Sequence, residues 1–290
     1  MNGKSKKIPV NYSVKNIIYS ILEDNPKARK YSDAKKKKLY NNCLNYLNKC
    51  PELKKILSIA HIRKYPVKGV NFFARIGVIP PELVIVDERI KNMCTLPYWT
   101  LYNDKKGNIY RGFGKCPGHG WLPSCPPNSP SVEKVQKILD QSDFFIVLQT
   151  KLLSERGDTM WKFTVLHRLA HEIEKVLGKK SVTGKYGSGP CTACKSQNCI
   201  YNKPCKSPEL KTISLESMGI CVERLCTDLA LLTGQNAWKI TWLKHFGLPQ
   251  QTPKKWKYVE AISVKMPKVP KVEKDRMQNS GVRSKTGCCP

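Results

Sequence analysis

Ser131-Val-Glu-Lys-Val-Gln-Lys-Ile-Leu-Asp-Gln-Ser-Asp-Phe-Phe-Ile-Val-Leu-Gln-Thr150 decides the reading of the fold, because its two halves follow different periods. From Val132 to Leu139 the apolar residues recur at helical spacing. Phe144 to Leu148 is an unbroken apolar run of strand length, the pattern of a strand buried on both faces. Working outward, Met160 to Leu177 reads as a long amphipathic helix and Ser181 to Gly189 as a Gly-punctuated strand. Gly219 to Leu232 reads as a helix closed by Gly234, and Tyr258 to Met266 alternates like a final strand. Short apolar runs such as Leu83 to Val86, following Pro80-Pro81, fit the same texture. The expectation is an α/β domain over residues 69–266: a small sheet flanked by helices, with cysteine-rich metal-binding loops.

Two segments lie outside that domain. Residues 1–68 hold seventeen Lys and Arg against four Asp and Glu, with helical apolar spacing at Val14 to Leu22 and again from Leu39 to Ile59. They read as a basic helical N-terminal segment, its Lys35-Lys36-Lys37-Lys38 run a solvated helix face. Residues 267–290 lack any periodic apolar pattern and read as an extended tail.

The 290 residues, 40% of them hydrophobic, suffice for a real core. No run of eighteen apolar residues occurs and the first residues lead into no apolar signal, so no membrane partner is expected and the reading is cytoplasmic. A formal charge of +29 favours anionic partners: an acidic redox or metalloenzyme protein, or RNA. Thirteen unevenly clustered cysteines in such a chain argue for metal ligation over a disulfide framework.

The densest cysteine group is Cys191-Thr-Ala-Cys194-Lys-Ser-Gln-Asn-Cys199 running on to Cys205. The C-x2-C turn brings two thiolates to one metal, and the loops that follow bring two more without regular secondary structure. Structural zinc usually takes two C-x2-C pairs across a longer loop. Single, unequally spaced cysteines are commoner around a cubane, so a [4Fe-4S] cluster is expected here, with zinc as the alternative. Lys195, Ser196, Gln197, Asn198, Asn202 and Lys203 offer nothing apolar in which to bury inert thiols.

Cys94, Cys116 and Cys125 form a looser second group, set in the turn-rich Cys116-Pro-Gly-His119-Gly-Trp121 and Cys125-Pro-Pro127. Its fourth ligand is open among Cys221, Cys226 and His119, or one iron stays unligated. Cys221 and Cys226 stand about 140° apart around a helix, so one at most ligates; Cys221 is the choice and Cys226 reads as a core thiol. Cys43 and Cys50 read as core or half-exposed thiols, and Cys288-Cys289 as a mobile pair suited to sulfur transfer. His167 and His171 share a helix side but lack the H-E-x-x-H order of a zinc hydrolase, and read as surface or partly packed. No Walker loop and no dinucleotide fingerprint is present.

Taken together, these motifs resemble the uncharacterised family of predicted metal-binding proteins called domain of unknown function 2284, over about residues 65–266. The resemblance rests on Cys125-Pro126-Pro127 with the helix and strand that follow, on Gly189-Pro190-Cys191-Thr192-Ala193-Cys194 through Cys205, and on Leu215-Glu216-Ser217-Met218-Gly219-Ile220. It implies Cys116, Cys125, Cys191, Cys194, Cys199 and Cys205 as metal ligands, and no established activity. Two neighbouring cysteines are expected before Cys-Pro-Pro in that family, whereas Cys94 stands 22 residues ahead of Cys116 here.

The functional expectation is an anaerobic-type iron–sulfur protein with one or two [4Fe-4S] clusters. It would act in electron transfer, or as a maturation factor that reductively activates a partner metalloenzyme. The alternatives are a zinc-stabilised RNA-binding or RNA-modifying protein that stacks bases on Trp161, Trp238, Trp242 or Trp256, and a sulfur-transfer protein using Cys288 or Cys289.

Overall fold

The computed structural model describes residues 14–49, 51, 65–67, 70–72, 74–96, 98–103, 109–114, 116, 118–120, 122–150, 160–188, 191, 205, 207, 211–240 and 258–266. Cys50, Cys194, Cys199, Trp242, Trp256, Cys288, Cys289 and the tail from 267 lie outside them, as does the Trp161 side chain. The described helices are α1 (Val14–Asp24), α2 (Pro26–Arg29), α3 (Asp33–Asn48), α4 (Glu88–Asn92), α5 (Val132–Asp140), α6 (Met160–Leu177) and α7 (Val222–Thr233). The strands are β1 (Tyr65–Val67), β2 (Val70–Phe72), β3 (Ala74–Ile79), β4 (Tyr98–Asn103), β5 (Ile109–Gly114), β6 (Phe144–Thr150), β7 (Val182–Gly187), β8 (Ile213–Ser214) and β9 (Val259–Val264).

Five strands form one sheet in the order β3-β6-β9-β7-β8, and β1-β2 and β4-β5 pair as separate antiparallel ribbons. Within the sheet only β7-β8 is parallel; Ile146 of β6 stands between Val78 of β3 and Ile262 of β9. All seven residues of β6 are buried, and the two-residue period of a strand splits them between two layers. Phe144, Ile146 and Leu148 pack with Leu166, Leu169, Ala170 and Ile173 of α6 and with Cys43 and Leu47 of α3. Phe145 and Val147 pack with Val135 and Leu139 of α5 and Leu225, Cys226 and Leu229 of α7. Helices therefore cover both faces, as the apolar run at 144–148 requires. Each such side chain contributes roughly 1.5–3 kcal/mol by leaving water.

The alternating stretch at 258–266 forms the final strand, as expected, and β9 lies in the middle of the sheet, between β6 and β7. Its polar positions are buried with partners, Glu260 against His167 and Ser263 against Thr183 and Tyr186. Leu83 to Val86 joins no sheet, and forms the end of a 3-10 turn (Pro81–Leu83) and one isolated bridge, Val86 to Ile220. Pro80 and Pro81 supply no amide for a ladder.

The basic N-terminal helices contribute to both cores, through Ile21 on one side and Cys43 and Leu47 on the other. The Lys35–Lys38 run is not solvated throughout. Lys36 is 5% exposed and its Nζ lies 3.0 Å from Oδ1 of Asp228 in α7, whose other oxygen accepts from Arg224 Nε at 2.8 Å. At 100° per residue one lysine in four turns inward, and a buried cation needs this paired carboxylate. Arg89 of α4 donates to Asp24 at 3.0 Å and to Asp87 at 2.8 Å.

Candidate metal centre

The segment from Cys116 to Asn128 folds back on itself through its own backbone. The amides of His119, Leu122, Cys125 and Asn128 donate to the carbonyls of Cys116, Gly118, Leu122 and Cys125, and Gly120 donates to Pro126 at 2.8 Å. Gly120 has φ +77, the left-handed conformation that glycine adopts without penalty. A side chain at Gly118 would place its Cβ 2.9 Å from the Cys125 sulfur, so the absence of one leaves the sulfur its room. Lys91 fastens the following loop to α4 by donating to the Pro130 carbonyl at 3.2 Å.

Cys94 arrives from the 3-10 turn Met93–Thr95, which packs against a second turn, Glu216–Met218. Burial raises the Cys94 thiol well above its ordinary value, with further contributions from Cys116, Glu216 and Cys125 and an opposing hydrogen bond from Ser217. Burial also pushes Cys125 up to about 12, with Cys116 adding to it and hydrogen bonds from Ser124 and Ser217 opposing it. Cys116 thus acts on both Cys94 and Cys125, and Ser217 hydrogen-bonds to both. Ser217 is 2% exposed; its oxygen accepts from the Ser214 hydroxyl at 2.7 Å. No disulfide joins the described cysteines, and among the described residues no three His, Cys, Asp or Glu side chains converge closely enough to hold a metal ion.

Of the first group, Cys191 and Cys205 are described and half-buried, while Cys194 and Cys199 lie outside the described residues. The Thr212 amide donates to the Cys191 sulfur at 3.4 Å. Behind it, the Thr212 hydroxyl lies 3.4 Å from Nε2 of His167, and Nδ1 of His167 lies 2.5 Å from the Glu260 carboxylate. Burial raises Glu260 to about 6, against the pull of His167. His167 is thus partly packed, facing the sheet, and His171 pairs with Glu174 at 2.7 Å.

Cys221 is 1% exposed at the start of α7, its amide donates to the Ile85 carbonyl, and burial pushes its thiol up to about 12, with Glu223 and Asp87 adding to the rise and Arg224 opposing it. Cys226 is a core thiol, accepting from Gln149 at 3.5 Å, and Cys43 is buried likewise. Trp238, offered above as a stacking residue, is 2% exposed with its ring against Gly77 and has no open face for a base.

Four participants carried no metal-ligand signal in the sequence: Glu216, Ser217, Thr212 and Glu260. Ser217 and Glu260 do interrupt apolar runs, and a polar side chain in a buried run needs a partner. That is the signal they carry.

Residues 111–243 match the family model described as Predicted metal-binding protein (DUF2284). Over that stretch, somewhat under half of its length, the chain is similar to the DUF2284 family. The match is narrower than 65–266: it opens in β5 and ends just after α7, taking in Cys116, Cys125, the Cys191–Cys205 group and Cys221, and leaving Cys94 outside. No curated protein and no solved structure matches the chain. No helix among the described residues is long and apolar enough to cross a membrane.

Proposed function

We propose that this chain is an iron–sulfur protein with two cysteine centres, one at Cys191, Cys194, Cys199 and Cys205 and one at Cys94, Cys116 and Cys125. It works in the cytoplasm in electron transfer, or in the maturation or reductive activation of an acidic partner metalloenzyme. The observation that carries the reading is the match of residues 111–243 to a predicted metal-binding domain that takes in Cys116, Cys125 and the Cys191–Cys205 group. Burial opposes the ionisation of Cys94 and Cys125, and a bound cation would relieve it. The donor set suits iron or zinc, since soft thiolates select both.

When bound, a [4Fe-4S] cluster supplies one-electron redox chemistry. The chain's own residues supply the surroundings. The Thr212 amide donates to the Cys191 sulfur, Ser217 serves Cys94 and Cys125, and the burial of Cys125 excludes water. Donors to sulfur and solvent exclusion are the levers that tune such a centre. The charge of +29 favours docking on an acidic surface.

The test is the anaerobically purified full chain. A brown protein whose visible absorption bleaches on reduction, with a reversible one-electron potential, supports the reading. Colourless protein with stoichiometric zinc overturns it, and steeply salt-dependent RNA binding by that zinc form would put the RNA-binding alternative in its place.

A further inference from the structure

The outward face of α3 is built in a way that solvation does not explain. Beyond Asp33 in its first turn, neither the helix nor the Lys49 that caps it holds a carboxylate. Lys36, Cys43 and Leu47 turn inward and are buried. The other side presents Lys35, Lys37, Lys38 and Lys49, all exposed. Between them stand the exposed amides of Asn41, Asn42, Asn45 and Asn48. Among the described residues, the ion pairs of this helix are made by Lys36 alone. A merely solvated helix face is favoured by Glu–Lys pairs four residues apart and by strong helix formers. Here Lys37 and Lys38 stand four residues from Asn41 and Asn42, and asparagine is a weak helix former.

The cations are also gathered rather than spread. The Lys30 and Lys35 ammoniums lie 5.3 and 5.0 Å from the centre of one ring, that of Tyr31. Lys35, Lys38, Asn42, Tyr46 and Lys49 follow at steps of three and four residues, a single stripe about 21 Å long. Tyr46 is 44% exposed, its ring tilted against Phe144 at 5.3 Å. An acidic protein would find little to bury on this face, because protein interfaces keep an apolar centre from which charge is depleted. A phosphodiester backbone needs no such centre, since its binding comes from the release of counterions.

We propose that this face of α3 binds a single strand of RNA. The lysines take phosphates, and the asparagine amides, which both donate and accept, take phosphate oxygens and ribose hydroxyls. Tyr46 offers an unpaired base a ring to stack on. The surface uses none of the proposed cysteine ligands, so the inference stands apart from the iron reading and holds whichever metal the thiols carry.

Fluorescence anisotropy of a labelled single-stranded RNA of mixed sequence and about 16 nucleotides, titrated with the full chain as purified, tests this. Wild type is expected to bind at low salt and to lose about fiftyfold in affinity between about 50 and 200 mM, as four phosphate contacts require. Changing Lys35, Lys37, Lys38 and Lys49 together to Gln weakens binding tenfold or more and lowers the slope of log affinity against log salt by about three. A control with Lys134, Lys137, Lys175 and Lys180 changed to Gln removes the same charge from exposed positions elsewhere, and weakens binding by no more than about threefold. Tyr46→Ala weakens it about fivefold or more and Tyr46→Phe recovers it. Equal losses in the two quadruple variants overturn the proposal, as does equally tight binding of the DNA strand of the same sequence. Failure to bind RNA at low salt overturns it too, and polyglutamate held through the same four lysines would then make the face a dock for acidic protein.

Discussion

The Glu260 carboxylate sits in the central strand at 1% exposure, and burial raises it from an ordinary 4.5 to about 6 even with His167 beside it. The folded chain therefore holds this proton more tightly than the unfolded chain does. The contribution to stability is full below pH 4.5 and is lost as pH rises through 6, a difference of about 2 kcal/mol. Glu260→Gln, which keeps the shape without the charge, is expected to match wild type in thermal unfolding near pH 4.5 and to exceed it by about that amount at pH 7. A constant offset between the two across this range contradicts the assignment. Gly219 is a second single-residue test. At φ +79 a Cβ there would meet Val132 Cγ1 at 2.8 Å and the Asp87 carbonyl oxygen at 2.9 Å. Gly219→Ala is expected to cost roughly 2 kcal/mol or more in denaturant unfolding, through backbone strain and overpacking together. At this scale the sequence was least legible. Spacing located the cysteines, but that Ser217 hydrogen-bonds Cys94 depends on the packing of two turns far apart in the chain.

Helix α3 and helix α7 meet through Lys36 and Asp228, a buried pair at 3.0 Å. Removing one partner of such a pair leaves the other charged and dry, at a cost of about 3–5 kcal/mol. The two halves are unequal here. Asp228→Ala leaves Lys36 only the exposed Asp33 at 3.5 Å and is expected near the upper figure. Lys36→Met leaves Asp228 its bond to Arg224 and is expected to cost less, about 2 kcal/mol. Equal losses for the two variants in urea unfolding would contradict this account of the clamp. Elements with strong periodicity were readable from sequence: α6 spans the predicted Met160–Leu177, and α5 and β6 follow the 131–150 stretch. Lys36 was not, because four consecutive lysines carry no mark of which one turns inward. The position of β9 was hidden as well, since alternation suggests one wet face and says nothing of polar residues that find buried partners.

Across the whole molecule, one short segment serves both cysteine groups, with Thr212 on Cys191 and Ser217 on Cys94 and Cys125. Five residues of chain reach at most about 18 Å, so Cys191 lies in the same region of the fold as Cys94 and Cys125. The α/β class could be read from pattern and spacing, and the nearness of Cys191 to Cys94 and Cys125 could not, because β8 and its turn link them only in the folded chain. The most direct test is an iron and acid-labile sulfide count on the anaerobically purified full chain, beside Cys116→Ser and Cys194→Ser. Two [4Fe-4S] centres predict about eight irons and eight sulfides per chain, falling to about four in each variant. Zinc in place of iron, or an iron content that neither substitution lowers, would contradict the account.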